Sequence, residues 1–514
     1  MSIKPDLADF ILDKFPYNPT DEQLQTVKEW GEFLLSPNQD EIYLLQGYAG
    51  TGKTSLVGAL VRALDSLHRQ VILLAPTGRA AKVFSLHADH VAYTIHKKIY
   101  RQHTFSAEMI DFQACPNPHR NTLFIVDEAS MINNEGISGR GFGTGRLLDD
   151  LVHYVYAGPG CRLMLVGDSA QLPPVGEELS PALSEDALSA YGLTVRSSSL
   201  SQVLRQVHES GILWNATMLR RLISSDEMVD FPRFRVSGFP DICPLPGDQL
   251  IEKLEESYYR CGTDQTIVVT RSNRRANIYN NGIRGRILMC EDELDSNDQL
   301  IVVKNNYFWL NPDEEVDKRS ATAGDACVDN RSRNSEPGTQ NSELAKPFGL
   351  ATDFIANGDL AVVRRLRNER NFYGFRFADA ILRFPDFDDM EIEATILLDT
   401  LQSEAPALTR EQQIQLFNAI CADYPEVTNR RDLMEKIKKD PYYNALQVKY
   451  AYAVTCHKAQ GGQWQHVYID QGYVTEDMLS PDYFRWLYTA LTRATERVYL
   501  VNWPPQQIEG GMDD

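Results

Sequence analysis

Four short apolar runs, Ile42–Leu45, Val71–Ala75, Leu123–Val126 and Leu163–Val166, stop where glycine, proline or an acidic residue begins. Runs of this length that are apolar on both faces are the habit of strands buried in a parallel sheet. In open α/β sheets, ligands gather at the carboxyl ends of such strands. The pattern predicts one α/β domain over residues 1–190. Between its second and third strands, residues 97–121 exceed an ordinary connection of about 2–6 residues. There the β-branched and aromatic stretch from Tyr100 to Phe112 predicts a short hairpin, and Cys115-Pro-Asn-Pro118 supplies turn chemistry.

A second α/β set is expected from residue 191, with strands at Thr266–Thr270, Tyr450–Val454, Val467–Asp470 and Val498–Val501. It divides into 191–300 and 445–514, so residues 301–444 read as an insertion. Stretches such as Leu360-Ala-Val-Val-Arg364 and Phe375-Arg-Phe-Ala-Asp-Ala-Ile-Leu-Arg-Phe384 alternate and are rich in strand formers, which predicts a small β-barrel there. Residues 311–346 are polar, acidic and nearly free of large apolar side chains, and a mobile loop is expected.

The chain of 514 residues is too long for one core and calls for several domains, which its 43% hydrophobic content can fill. Its net charge of −20 means that a polyanionic partner must be held in a local cationic groove, because the overall field repels it. The eight cysteines are scattered without a C-x-x-C pair, so reduced structural thiols are expected. No signal pattern and no apolar run of membrane length is visible, which predicts a soluble cytoplasmic protein with no membrane partner.

Chemistry enters with Gly47-Tyr-Ala-Gly-Thr-Gly-Lys53-Thr54, a complete phosphate-binding loop. Its glycines let backbone N–H groups wrap phosphate oxygens without interference from Cβ. The candidate nucleotide-binding set is Gly47, Ala49, Gly50, Thr51, Gly52, Lys53, Thr54 and Ser55, with ATP as the ligand. Lys53 would neutralise the β/γ-phosphates, and Thr54 with Asp127 would ligate Mg²⁺. Asp127 ends an apolar strand, where a lone carboxylate is costly unless it faces a metal shell. Glu128 is then the natural base for the attacking water. Gln171, in Gly167-Asp168-Ser-Ala-Gln171, is placed to sense a γ-phosphate, and Arg205 and Arg493 are candidate arginine fingers.

The order of these motifs resembles superfamily 1 DNA helicases, specifically the RecD-like and Dda-like branch. Asp127-Glu-Ala-Ser-Met131, Gly167-Asp-Ser-Ala-Gln-Leu-Pro-Pro-Val175, Val203-Leu-Arg-Gln206, Lys304-Asn-Asn-Tyr307 with Asn357-Gly-Asp359, and Cys456-His-Lys-Ala-Gln-Gly461 carry the resemblance. It implies an α/β fold of two RecA-like parallel-sheet motor domains, a small hairpin insertion in the first and a Src-homology-3-like β-barrel insertion in the second. It further implies 5′→3′ travel on single-stranded DNA, with a duplex fork and repair, recombination or replication proteins as partners, and a monomer. Gln23 resembles the glutamine that reads adenine. Pro76, Thr77 and His96 in the first motor domain, and Asn273, Thr455, His457 and Lys458 in the second, resemble nucleic-acid contacts. Thr77 could instead cap a helix and His96 could be packed in a core. Gln463 stands where many relatives carry Glu, which puts a ribose or motif-bridging contact in doubt. Trp464 fits core filling better than base stacking. The arginines at 271, 274, 275, 284 and 286, and at 364, 365, 367 and 370, read equally as phosphate contacts or as solvated faces. An RNA or RNA–DNA hybrid track, or a nucleotide-gated interaction module without unwinding, are the competing readings.

Overall fold

The computed structural model describes residues 3–105, 110–135, 143–202, 209–225, 227–228, 230–310, 355–387 and 389–509. In chain order the first eight strands are β1 (Glu41–Gly47), β2 (Val71–Ala75), β3 (Ala92–Thr94), β4 (Tyr100–Phe105), β5 (Ile110–Ala114), β6 (Leu123–Val126), β7 (Arg162–Gly167) and β8 (Thr194–Leu200). Six of them form one parallel sheet in the order β3-β2-β6-β7-β1-β8. Alternation along each central strand feeds two cores. Tyr43, Leu45, Ile125, Met164 and Val166 pack with Trp30, Phe33 and Leu60 on one face. Ile42, Leu44, Phe124, Leu163 and Leu165 pack with Leu148 and Leu151 on the other. Burial on both faces is why these strands carry unbroken apolar runs. Among the described residues, β4 and β5 pair only with each other, as the hairpin expected within 97–121.

β8 corrects the expected start of the second domain. It pairs in parallel with β1, Ile42 opposite Val195, so the first sheet extends past residue 190. It is an edge strand, and its Thr-Val-Arg-Ser-Ser-Ser-Leu sequence shows no apolar run because solvent faces it.

The remaining strands are β9 (Ile242–Leu245), β10 (Thr266–Thr270), β11 (Gln299–Val302), β12 (Leu360–Phe372), β13 (Phe375–Phe384), β14 (Met390–Leu397), β15 (Leu446–Tyr450), β16 (Ala453–Thr455), β17 (Trp464–Asp470) and β18 (Ala494–Val501). A second parallel sheet runs β16-β10-β17-β18-β9, and β11 through β15 close into a barrel. The fold is therefore two RecA-like α/β units with a five-stranded barrel inserted in the second. The run expected as one strand at Tyr450–Val454 divides: Tyr450 ends β15 in the barrel, and Ala453 begins β16 in the sheet. Between β14 and β15, the helices Arg410–Cys421 and Arg430–Lys438 cover one end of the barrel, where Phe375 and Phe377 pack with Phe417 and Ile420. The barrel also touches the first unit, since Lys82 Nζ donates to the Pro385 carbonyl at 3.2 Å. The loop expected at 311–346 lies outside the described residues.

Candidate functional site

The phosphate loop leaves the carboxyl end of β1 and enters the helix Lys53–Ser66. Gly50 and Gly52 both have φ of +80°, the left-handed region that a side chain disfavours. A Cβ on Gly47 would stand 3.0 Å from Thr51 Oγ1 and 3.1 Å from Leu200. The loop is closed on itself: Lys53 Nζ donates to the carbonyls of Gly47 (2.5 Å) and Tyr48 (3.0 Å), and Thr51 Oγ1 donates to Tyr48 O at 2.8 Å. Gln23, buried at the head of the helix Asp21–Leu35, accepts from Thr20 N–H and donates from Nε2 to Thr51 O at 3.0 Å. Ser55 lies half-buried in the first turn after the loop.

Asp127 ends β6 beside this loop. Its Oδ2 accepts from Thr54 Oγ1 at 3.2 Å and its Oδ1 from the Glu128 amide at 2.9 Å. Burial first, and then the charge of Glu128, raise the Asp127 carboxyl above the ordinary range. Such a buried acid is poised for a cation that would restore its charge. Glu128 holds a left-handed backbone, φ +53°, a conformation that costs an L-residue of order 1–3 kcal/mol. At the end of β7, Asp168 is buried, and burial raises its carboxyl. Gln171 is also buried, and its Oε1 has no hydrogen-bond partner. An orphaned acceptor, a raised acid and a lysine spent on loop carbonyls fit a site built for a phosphate chain with a divalent cation.

The second sheet closes the site. Its helix Pro481–Leu491 sends the Tyr488 hydroxyl to accept from the Ala49 amide at 3.0 Å and to donate to Asp168 Oδ2 at 2.6 Å. Arg493 is buried in that unit, with Nε donating to Thr489 O at 3.1 Å and Nη1 to Gly462 O at 3.3 Å. Here it is bound by its own unit's carbonyls. Arg205 lies outside the described residues.

Thr77 caps the helix Gly78–Ala88, its side chain accepting from Ala80 N–H at 3.2 Å, and Pro76 precedes it half-buried. From the second unit Gly461 approaches it, where a Cβ would lie 3.3 Å from Thr77 Oγ1. Thr455 precedes the short helix Cys456–Ala459, which carries His457 and Lys458 and ends two residues before that glycine. Lys458 is half-buried, and burial together with the charge of Lys449 lowers its ammonium to about 8. His96 lies half-buried with its ring 5.7 Å from that of Tyr100. Asn273 donates to Glu404 O at 3.0 Å, which ties the helix Asn273–Arg286 to the barrel side. Gln463 is exposed, and its carbonyl accepts from Arg79. Trp464 is a core residue, with the Arg79 guanidinium 4.1 Å over its ring. Four of the arginines that read equally as phosphate contacts or solvated faces are paired within the protein: Arg275 with Asp470, Arg284 with Asp298, Arg364 with Glu391 and Arg370 with Asp379.

Residues 20–224 match the AAA domain family, and residues 450–501 match the UvrD-like helicase C-terminal domain. The ATP-dependent RecD2 DNA helicase of Deinococcus radiodurans is 34% identical over 173 residues, 34% of this chain and 21% of that one. These matches bear out the resemblance of the chain to superfamily 1 helicases of the RecD-like type. The chain also aligns with an uncharacterized protein of Acanthamoeba polyphaga mimivirus, 23% identical over 93% of this chain and 98% of that one. It thus spans nearly all of the viral relative and about a fifth of the Deinococcus enzyme. Among solved structures, the Pif1 helicase from Bacteroides in complex with ADP-AlF3 and single-stranded DNA aligns over 96% of this chain and 94% of that chain, at 14% identity and a TM-score of 0.43.

Sequence reasoning did not single out three residues that the interface uses. Tyr488 lies five residues before the candidate finger Arg493, but its partners are 439 and 320 residues away. Gly461 needs both its positive φ of +74° and its small size, because Ala80 Cβ would be 3.1 Å from an added Cβ. Asp359, from the Asn-Gly-Asp turn of the barrel, would meet a Cβ on Gly78 at 2.4 Å, which places it against the first unit.

Proposed function

We propose that this protein is an ATP-driven DNA motor that steps 5′→3′ along single-stranded DNA and opens a duplex fork, acting as a cytoplasmic monomer in repair or recombination. What carries the reading is one shared interface: the phosphate loop meets Tyr488 of the second unit, while Thr77 and Ala80 of the first meet Gly461 of the second. Closure at one place therefore moves residues at the other. Gln23 reads adenine, the loop amides and Lys53 hold the phosphates, and Thr54 with Asp127 holds Mg²⁺, which when bound neutralises phosphate charge. Glu128 takes the proton of the attacking water, and Gln171 senses the γ-phosphate. Arg493, once turned out of the Thr489 and Gly462 carbonyls, stabilises charge in the transition state together with Arg205. Pro76, Thr77, His96, Asn273, Thr455, His457 and Lys458 line the track.

Two variants and a strand-displacement assay test this. Lys53→Ala should lose ATP binding, whereas Glu128→Gln should retain it while turnover falls by about 100-fold or more. The wild type should hydrolyse ATP faster with single-stranded DNA and displace a strand from forked DNA. Stimulation by RNA alone would move the track to RNA. Hydrolysis with no displacement on either would make the protein a nucleotide-gated switch.

A further inference from the structure

Two of the contacts that join the two motor units meet at one hydroxyl. Tyr488 Oη accepts from the Ala49 amide of the phosphate loop and donates to Asp168 Oδ2, and both Tyr488 and Asp168 are 1% exposed. The chain of contacts continues. Four residues beyond Asp168, the Leu172 amide donates to Thr489 Oγ1 at 2.9 Å, and the Leu172 carbonyl accepts from Gln460 Nε2 at 2.9 Å. Gln460 directly follows the helix that carries His457 and Lys458, and Cys456 Sγ of that helix donates to the Trp486 carbonyl at 3.7 Å. Every link from the loop to residues 455–461 is thus a buried or half-buried polar contact.

We propose that Tyr488 is a positioning residue that reports occupancy of the phosphate loop to the track segment Thr455–Gly461, an inference that rests on the ATP-driven reading above. The physical reason is competition for one donor. The Ala49 N–H belongs to a loop whose amides cradle phosphate oxygens, and one N–H fully satisfies one acceptor. A phosphate that draws on this amide leaves the Tyr488 hydroxyl held by Asp168 alone, so the helix Pro481–Leu491 is released from the loop. It stays fixed to the segment Asp168–Leu172. Movement of that segment reaches Gln460 through the Leu172 carbonyl. Linkage makes the effect reciprocal: what nucleotide does to track affinity, the track does to nucleotide affinity.

The test measures binding of a labelled single-stranded oligonucleotide with and without saturating Mg²⁺ and a non-hydrolysable ATP analogue, in full-length wild type and Tyr488→Phe. In the wild type the two affinities should differ by roughly 5–150-fold, the usual span of such coupling. In Tyr488→Phe the ratio should fall to within about two-fold of one, while each ligand alone binds within about three-fold of wild type. A purely structural role would weaken both ligands and leave their ratio in place. A coupled wild type with an equally coupled Tyr488→Phe overturns the relay and spares the motor. An uncoupled wild type overturns the motor reading and the relay with it. Should Tyr488→Phe fail to fold, Thr489→Val keeps the volume and removes the acceptor of the Leu172 amide; its ratio should fall by about three-fold or more, and an unchanged ratio overturns the proposal.

Discussion

Asp359 shows how one residue at a seam sets a pH dependence. It is buried where the barrel meets the first motor unit; Oδ2 accepts from the Ala356 amide at 2.7 Å, and Oδ1 has no hydrogen-bond partner. Burial pushes its carboxyl up to about 8; the Ala356 hydrogen bond opposes the rise, and the charge of Asp386 adds to it. Unfolded, the same group titrates near 4. The folded state therefore binds the proton that the unfolded state releases, and this group's contribution to stability is full below about pH 4 and lost as pH rises to about 8. Asp359→Asn keeps the shape and removes the titration. Relative to wild type, the variant should gain on the order of a few kcal/mol between pH 5 and pH 9 in urea unfolding. Parallel pH profiles for the two proteins would show that Asp359 ionises freely in the folded state.

Among elements, the β4–β5 hairpin is a two-stranded ribbon of its own. Its strands pair from Tyr100 opposite Ala114 to Phe105 opposite Ile110 and make no sheet with other strands. A lone ribbon is marginal by itself, so it is positioned by its base, where the Cys115 amide donates to the Ile99 carbonyl at 2.8 Å. Replacing residues 102–115 with a short Gly/Ser linker should leave DNA-stimulated hydrolysis within about two-fold and cut strand displacement about ten-fold, the worth of one stacked base. Normal unwinding by that variant would assign strand separation to the barrel. The hairpin was legible in sequence because an excursion interrupts an otherwise regular α/β rhythm. β2, β6 and β10 were legible to the residue because both of their faces are buried. β8 and β9 were not, because one is a polar edge strand and the other, Ile-Cys-Pro-Leu, contains proline at the edge of its sheet. The helix Arg410–Cys421 did leave a signal, the capping box of Thr409 and Gln412, in a stretch too polar to show a strong apolar stripe. In the site, the phosphate loop and Asp127–Glu128 are local motifs and stand out by themselves. Tyr488 and Gly461 act through partners hundreds of residues away, which no local pattern encodes.

At the scale of the whole molecule, the proposed function requires a net charge of −20 to coexist with a track for a polyanion. The structure narrows how that is achieved, because Arg275, Arg284, Arg364 and Arg370 spend their charge on Asp or Glu. Lys458 is one of the cations left as a candidate for the groove. Burial and the neighbouring Lys449 lower its ammonium to about 8, so in the free protein part of its charge is already gone at mildly alkaline pH. A phosphate beside it would favour the charged form, and binding would then take up a proton. Affinity for single-stranded DNA should therefore decline as pH rises from 7 to 9.5, beyond any change in nucleotide binding. It should also fall with salt, at about 0.7 in log–log slope for each phosphate contacted. Lys458→Ala should flatten the pH dependence and reduce the salt slope by about one contact. Lys458→Arg, whose charge does not titrate in this range, should keep the salt slope and lose the pH dependence. If wild-type affinity is the same at low and physiological ionic strength, the molecule holds its track by something other than a cationic groove. In that case base stacking along the seam between the two units becomes the force to explain.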